Sequence, residues 1–295
     1  MKKLVICTGA NGGIGKHYCR EMLSRNYHVI MACRNEESGQ RVLEELKAEF
    51  PKQSLELMII DMGSLASIER FADKVLQKYG RLDGLVHNAG VYFFDKERRI
   101  SANNIELNFA LHFIGPFALT SYLFPLLKKT KDSRVVIVSS SEHRGSPVDL
   151  NDIQIESDFS SIGNMEAYSR SKWAGMAFFY ELHHQIKDKQ LGMHAVAAHP
   201  GISLTGIQLK GEPNAFQKLL FRMLGNLLTG KPEDAAKPLV MATVEGENGE
   251  FFGPTGFKEI KGEPGKVAPD AGIEDVSSRK TLWNAAEQLT GLSFL

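Results

Sequence analysis

The sequence predicts a single doubly wound α/β domain with a mostly parallel, seven-stranded sheet flanked by helices, and two observations predict it. Short runs rich in β-branched residues alternate with longer segments of helical period, the pattern of strand–helix units winding a parallel sheet. The first of these runs passes directly into a glycine-rich turn and then a helix, the way such a sheet begins. A chain of 295 residues, 43% of them hydrophobic, can bury a sizeable core in one such domain.

In chain order the strands are expected at Leu4 to Cys7, His28 to Ala32, Leu55 to Ile60, Gly84 to His87, Arg134 to Val138, His194 to Ala198 and Glu250 to Gly253. The helical type between them is shown by Glu36 to Phe50, EESGQRVLEELKAEF, where Val42, Leu43, Leu46 and Phe50 fall on one face. Beyond about Leu204, Gly, Pro, Glu and Lys become frequent. Within the one domain, 1–295, this marks a lid over about 202–232 and a Gly/Pro-punctuated tail over about 254–295. GEP occurs at Gly211 and at Gly262 in different surroundings, which reads as loops and not as a repeat.

Charge narrows the function. Thirty-five basic and 35 acidic residues cancel without a basic stripe or acidic tail, so nothing favours nucleic acid or an electrostatically held membrane surface. Cys7, Cys19 and Cys33 are odd in number and lack CxxC spacing, and are expected to be reduced. The histidines, His183-His184 included, show no HExxH or Cys/His ligand spacing, so no metal is expected. The apolar run after the initial Met is too short for a signal peptide, and no run approaches the roughly 20 apolar residues of a membrane span. The expectation is a cytoplasmic protein that is not integral to a membrane.

TGANGGIG, Thr8 to Gly15, follows the first strand and opens a helix. Glycines mark turns everywhere, but a strand, a glycine turn and a helix N-terminus together place backbone N–H groups and the positive end of a helix dipole where a pyrophosphate can sit. Gly9, Gly13 and Gly15 permit the close approach, with Asn11 and Ile14 in the same turn. The second strand ends in Ala32-Cys33-Arg34-Asn35, without the carboxylate that bonds a ribose 2′-hydroxyl in NAD binders. Arg34 suits a 2′-phosphate, which favours NADP(H) over NAD(H). The plain alternative is a solvated arginine at a helix entrance.

Tyr168 and Lys172, in YSRSK, are four apart and so share a helix face. They follow a strand that ends in Ser139-Ser140-Ser141, and strand ends at the carboxyl edge of a parallel sheet are where ligands bind.

Taken jointly, TGANGGIG, His87-Asn88-Ala89-Gly90, the Ser140/Tyr168/Lys172 set and His199-Pro200-Gly201 resemble the short-chain dehydrogenase/reductase superfamily, in the expected order over nearly the whole chain. The similarity is greatest to its retinol dehydrogenase and protochlorophyllide reductase branch. The resemblance implies a Rossmann-fold oxidoreductase in which Tyr168 is the acid, Lys172 lowers the phenol's pKa and bonds the nicotinamide ribose, and Ser140 holds the carbonyl oxygen. It further implies that Asn88, Ala89 and Gly90 shape the coenzyme floor, that Asp61 and Met62 approach the adenine, and that Pro200, Gly201 and Thr205 line the nicotinamide. Asp61 also reads as a plain strand-end turn residue.

One position departs from the family. Matched on Gly115, Phe117, Leu119 and Thr120, the frame puts His112 where members carry an asparagine whose backbone carbonyl holds a water linked to the lysine; Asn108 lies one helical turn early. Three readings are open for His112: its ring replaces only the amide's structural bonds, its imidazole joins the proton relay, or activity is lost or redirected.

Asn214 to Leu228, NAFQKLLFRMLGNLL, has helical apolar spacing with Lys218 and Arg222 interleaved, and reads as an amphipathic lid helix. Phe93, Phe94, Phe216 and Phe221 are consistent with an apolar pocket or with core. The expected partner is therefore a small carbonyl or alcohol substrate of lipophilic character. The tail lies near where related proteins meet their subunits, which allows a homo-oligomer. Two rivals share part of this signature: a non-catalytic NADP(H)-binding regulator and a sugar-nucleotide epimerase, the latter disfavoured by the glycine turn and the short C-terminal region.

Overall fold

In the computed structural model, which describes residues 2–93, 97–157, 159–201, 208–210, 230–269 and 271–295, the alternating runs become a three-layer sandwich. Strands β1 (Leu4–Thr8), β2 (His28–Cys33), β3 (Leu55–Ile59), β4 (Gly84–His87), β6 (Ser133–Val138), β7 (Met193–Ala198) and β9 (Phe251–Pro254) are the seven expected, shifted by a residue or so at their ends. An eighth, β10 (Pro264–Lys266), folds back antiparallel onto β9 and closes the edge. The tail thus adds a strand that its Gly/Pro content concealed. Two short strands, β5 (Val91–Phe93) and β8 (Gln208–Lys210), pair in parallel apart from the main sheet.

The order β10-β9-β7-β6-β4-β1-β2-β3 reverses direction between β1 and β4. A crevice opens at such a switch point, outside the carboxyl ends of the strands. Central strands β1, β4 and β6 are buried at every position because helices cover both faces. Edge strand β3 is not, and Ile59 is 42% exposed.

On one face lie α1 (Gly13–Ser24), α2 (Glu36–Glu49) and α6 (Pro232–Val244). Ile14, Tyr18, Cys19, Met22 and Leu23 of α1 are buried at helical spacing, as are Val42, Leu43 and Leu46 of α2. On the other face lie α3 (Leu65–Lys78), α4 (Leu107–Lys129), α5 (Phe159–Asp188) and α7 (Val276–Thr290), around Phe113, Phe117, Phe178 and Trp283.

Contrary to the expectation that no segment is membrane-like, α4 is long and apolar enough to span a membrane by length and composition. It is apolar all round because β-sheet, α3 and α5 surround it, and 83% of its apolar window is buried in the fold. The stretch Ala110–Ile114 is wound as a π-turn, with Gly115 N–H donating to Ala110 five residues earlier. Pro116 follows and has no N–H, so the carbonyl of His112 lacks the donor that a straight α-helix would supply four residues on. Helix α5 breaks at Gly163 (φ 72°) and then runs past Tyr168 and Lys172.

Candidate active site

The glycine turn leaves β1 at the switch point. Gly9 has φ +66°, and a side chain on it would lie 2.8 Å from the Ala89 backbone. One on Gly15 would meet the Gly9 carbonyl at 2.4 Å, so both positions require glycine for α1 to start against β4. No side chain caps the first turn of α1, and no acid stands in it. Its amides, with those of Gly13 and Ile14 among them, are therefore available to an anion.

Beside this turn opens a cleft of about 360 Å³. Gly9 and Asn11 line it at the helix end, Ala89 and Gly90 at the floor, and Asp61 and Met62 at the side. Asn88 is not in the lining: its Nδ2 donates to the Thr8 carbonyl at 2.9 Å and ties β4 to β1. Asp61 lines the cleft and also makes the strand-end turn, its Oδ1 accepting from Gly63 N at 2.9 Å, so both readings of it hold geometrically.

Arg34 stands exposed at the mouth, and among the described residues no carboxylate pairs with it. Its neighbour Asn35 is committed elsewhere, capping α2 by accepting from Ser38 N. Arg99, which nothing in the sequence marked, also lines the cleft, with its guanidinium 4.3 Å from the ring centroid of Phe93. Phe93 is thus a pocket residue. Phe94, Phe216, Phe221, Thr205 and the Asn214 to Leu228 segment lie outside the described residues.

At the inner end, three elements bring the chemistry together. Ser140 stands two residues beyond β6, its hydroxyl accepting from Glu142 N at 3.3 Å and acting on the phenol of Tyr168. Ser139 is buried away, its Oγ without a partner among the described residues. Tyr168 is 4% exposed. Burial pushes its phenol well above the ordinary value, Ser140 acts against that, and Glu142 and Tyr92 add to it. Lys172 donates to the Val138 carbonyl at 2.9 Å, and its Nζ lies 5.7 Å from the Tyr168 ring centroid.

Burial alone brings Lys172 down to about 7. Ser140 opposes the effect of burial on the phenol, while the ammonium of Lys172 is turned toward the sheet at Val138.

His112, and not Asn108, stands against this group, its ring edge-on to Tyr168 at 5.2 Å. Asn108 is occupied at the start of α4, where its Nδ2 donates to Glu106 at 2.9 Å. His112 bonds Ser171 Oγ through Nδ1 at 2.8 Å, and its carbonyl faces Gly175, where a side chain would approach it to 2.9 Å. Burial first, then the charge of Lys172, hold its imidazole well below 6.5.

Pro200 and Gly201 (φ +72°) leave β7 beside the tail, and a side chain on Gly201 would strike the Ile260 carbonyl. The preceding His199 is bonded through Nε2 to Glu259 at 2.9 Å, and Glu259 also holds Arg144 at 2.9 Å. One carboxylate of the tail so joins the ends of β6 and β7. Among the described residues no cluster of His, Cys, Asp and Glu is arranged to hold a metal.

The sequence pattern of short chain dehydrogenases matches residues 3–148. The chain is 34% identical to dehydrogenase/reductase SDR family member 13 of Bos taurus, over 98% of this chain and 74% of that protein. It is 31% identical to retinol dehydrogenase 13 of Mus musculus, over 99% and 84% respectively. Among solved structures, an uncharacterised protein of Mycobacterium Paratuberculosis superimposes with a TM-score of 0.80 at 28% identity, covering 99% of this chain and 95% of that one.

Proposed function

This chain belongs to the short-chain dehydrogenase/reductase family, in its retinol-dehydrogenase-like branch, and we propose that it uses NADP(H) to interconvert a carbonyl and an alcohol on a lipophilic substrate. Oxidoreduction of CH–OH and C=O groups follows from the family; the coenzyme and the substrate class are the proposal. The observation that carries it is a cleft with Arg34 at its mouth whose floor at Gly90 backs onto His112 and Lys172, both of which stand against Tyr168.

The residues fit a dinucleotide: an uncapped helix N-terminus, glycines where side chains would collide, and at the β2 end a guanidinium that no carboxylate pairs with among the described residues. A nicotinamide coenzyme, when bound, supplies or takes up the hydride. Tyr168 Oη gives its proton to the carbonyl oxygen during reduction and takes one back during oxidation. The Ser140 hydroxyl, which acts on that phenol, donates to the same substrate oxygen and steadies the charge that develops on it.

Preference for NADP(H) rests on Arg34, because no acid ends β2 and Asn35 is spent on capping. Lipophilic substrate character is supported by the similarity to a retinol dehydrogenase. A reducing, cytosolic setting belongs to the same reading, supported by three free, buried cysteines.

The test is calorimetric titration of wild-type protein and Arg34→Ala with NADPH and NADH, followed by NADPH-consumption assays on aldehydes, ketones and retinoids. NADPH is expected to bind more tightly, and Arg34→Ala to lose about 1.5–3 kcal/mol for NADPH with little change for NADH. Equal losses for both coenzymes would remove the NADP(H) assignment.

A further inference from the structure

His112 carries more than the structural bonds of one ring. Ser171 has a single hydroxyl proton and gives it to the Tyr168 carbonyl at 2.6 Å, so its oxygen must receive the 2.8 Å bond from His112. The imidazole is thereby fixed with its proton on Nδ1, leaving a bare lone pair on Nε2. That nitrogen is buried and has no hydrogen-bond partner among the described residues, in a residue only 5% exposed. A buried acceptor without a donor is costly, and where one persists a donor is expected to arrive.

The surroundings identify the donor. A side chain on Gly90 would begin 2.8 Å from His112 Nε2 and 3.9 Å from Lys172 Nζ, so the missing side chain leaves a gap shared by both nitrogens at the cleft floor. Lys172 has three N–H donors and, among the described residues, one acceptor, the Val138 carbonyl. Among the described residues, the other titratable groups on this side are Tyr168 of α5 and, beyond it, Tyr92 of β5 and the carboxylate Glu142, which is no donor. Neither tyrosine can supply Nε2 while Tyr168 serves the substrate.

We propose that His112 is a positioning residue whose Nε2 accepts a hydrogen bond from Lys172 when the ammonium turns from Val138 toward the cleft at Gly90. This rests on the oxidoreductase reading above and deepens it. The ring stays neutral, since burial and the lysine's charge oppose its protonation, and it acts as an acceptor and not as a carrier of the proton. The lysine is held near Tyr168, where its charge favours the phenolate.

The test compares wild-type protein with His112→Phe and His112→Gln, the glutamine offering an amide oxygen as substitute acceptor. In alcohol oxidation, kcat should fall about 10- to 100-fold in His112→Phe, the loss of one hydrogen bond to a charged group, with KM little changed. The limb of the pH profile that reports the phenolate should move to higher pH in His112→Phe and return in His112→Gln. A rate and profile unchanged in His112→Phe, or a loss at all pH values that His112→Gln shares, would overturn the assignment.

Because His112→Phe could fail to fold, the wild-type protein supplies a second readout. With 15N-histidine, the unprotonated Nε2 resonance of His112 should move on saturation with NADPH. NADPH binding by calorimetry with an unmoved resonance sinks the His112 assignment alone. Absence of both binding and turnover in the wild type overturns the oxidoreductase reading beneath it, and the assignment with it.

Discussion

Tyr168 and Lys172 are buried against their own charge. The phenol is held above its ordinary value and the ammonium is brought down to about 7, each by desolvation. Tyr168→Phe should therefore abolish turnover while leaving NADPH affinity within about a few-fold, a loss of the size general acids contribute. Retained turnover would remove Tyr168 from that role. For Lys172 the linkage gives a second expectation. Its folded-state pKa lies below the unfolded value of about 10.4, so the burial penalty is full below about pH 7 and fades as pH rises toward 10. Lys172→Met should raise Tm at neutral pH by the equivalent of about 1–3 kcal/mol, with the gain vanishing at alkaline pH, while turnover is lost. A lower Tm in scanning calorimetry would show that the bond to Val138 outweighs the desolvation.

At the scale of elements, the site depends on how closely α4 and α5 approach. The π-turn and Pro116 turn the His112 carbonyl out of its helix, and Gly175 of α5 leaves room for it. Gly175→Ala improves helix propensity by roughly 0.5–1 kcal/mol. The added carbon would sit 2.9 Å from that carbonyl, which is backbone and cannot swing aside. Overpacking should win, with a net loss of about 1–2 kcal/mol read by urea unfolding and a kcat lowered by displacement of His112. A stabilised, fully active variant would mean that the helices separate freely here. The tail works in the same way at the other edge of the site, where Glu259 is held at φ 54°, an unfavourable backbone for a glutamate, while it joins Arg144 to His199.

Across the whole molecule, burial of histidine sets the response to acid. His87 is brought down to about 3 and His199 to about 4, both chiefly by burial, and His112 lies well below 6.5. Unfolding lets each take up a proton below about pH 6.5, so stability is lost as pH falls through that point toward the folded-state values. Each contributes a slope of up to about 1.4 kcal/mol per pH unit. Glu106, raised by burial, works in the opposite direction at lower pH. Urea melts at about pH 7.5, 6 and 5 should show a steepening decline; a flat line would mean that these rings are charged in the fold.

The sequence by itself determined the doubly wound class and the seven main strands, because periodicity and punctuation are local and a strand, a glycine turn and a helix lie consecutively in the chain. Its resemblance to the family marked Ser140, Tyr168 and Lys172 and, through the family's frame, His112 in place of Asn108. Only the tertiary structure decided what those residues touch. The β9–β10 hairpin is cohesive through cross-strand bonds that Gly and Pro obscure locally, and 83% of the apolar window of α4 is enclosed by the fold. Arg99 reaches the cleft by packing on Phe93, from a stretch without a signal. The tautomer of His112 is fixed by Ser171, 59 residues away, and the pKa of Lys172 by the helices that bury it. Desolvation and hydrogen-bond pairing depend on neighbours distant in sequence, and these exist only once the chain has folded.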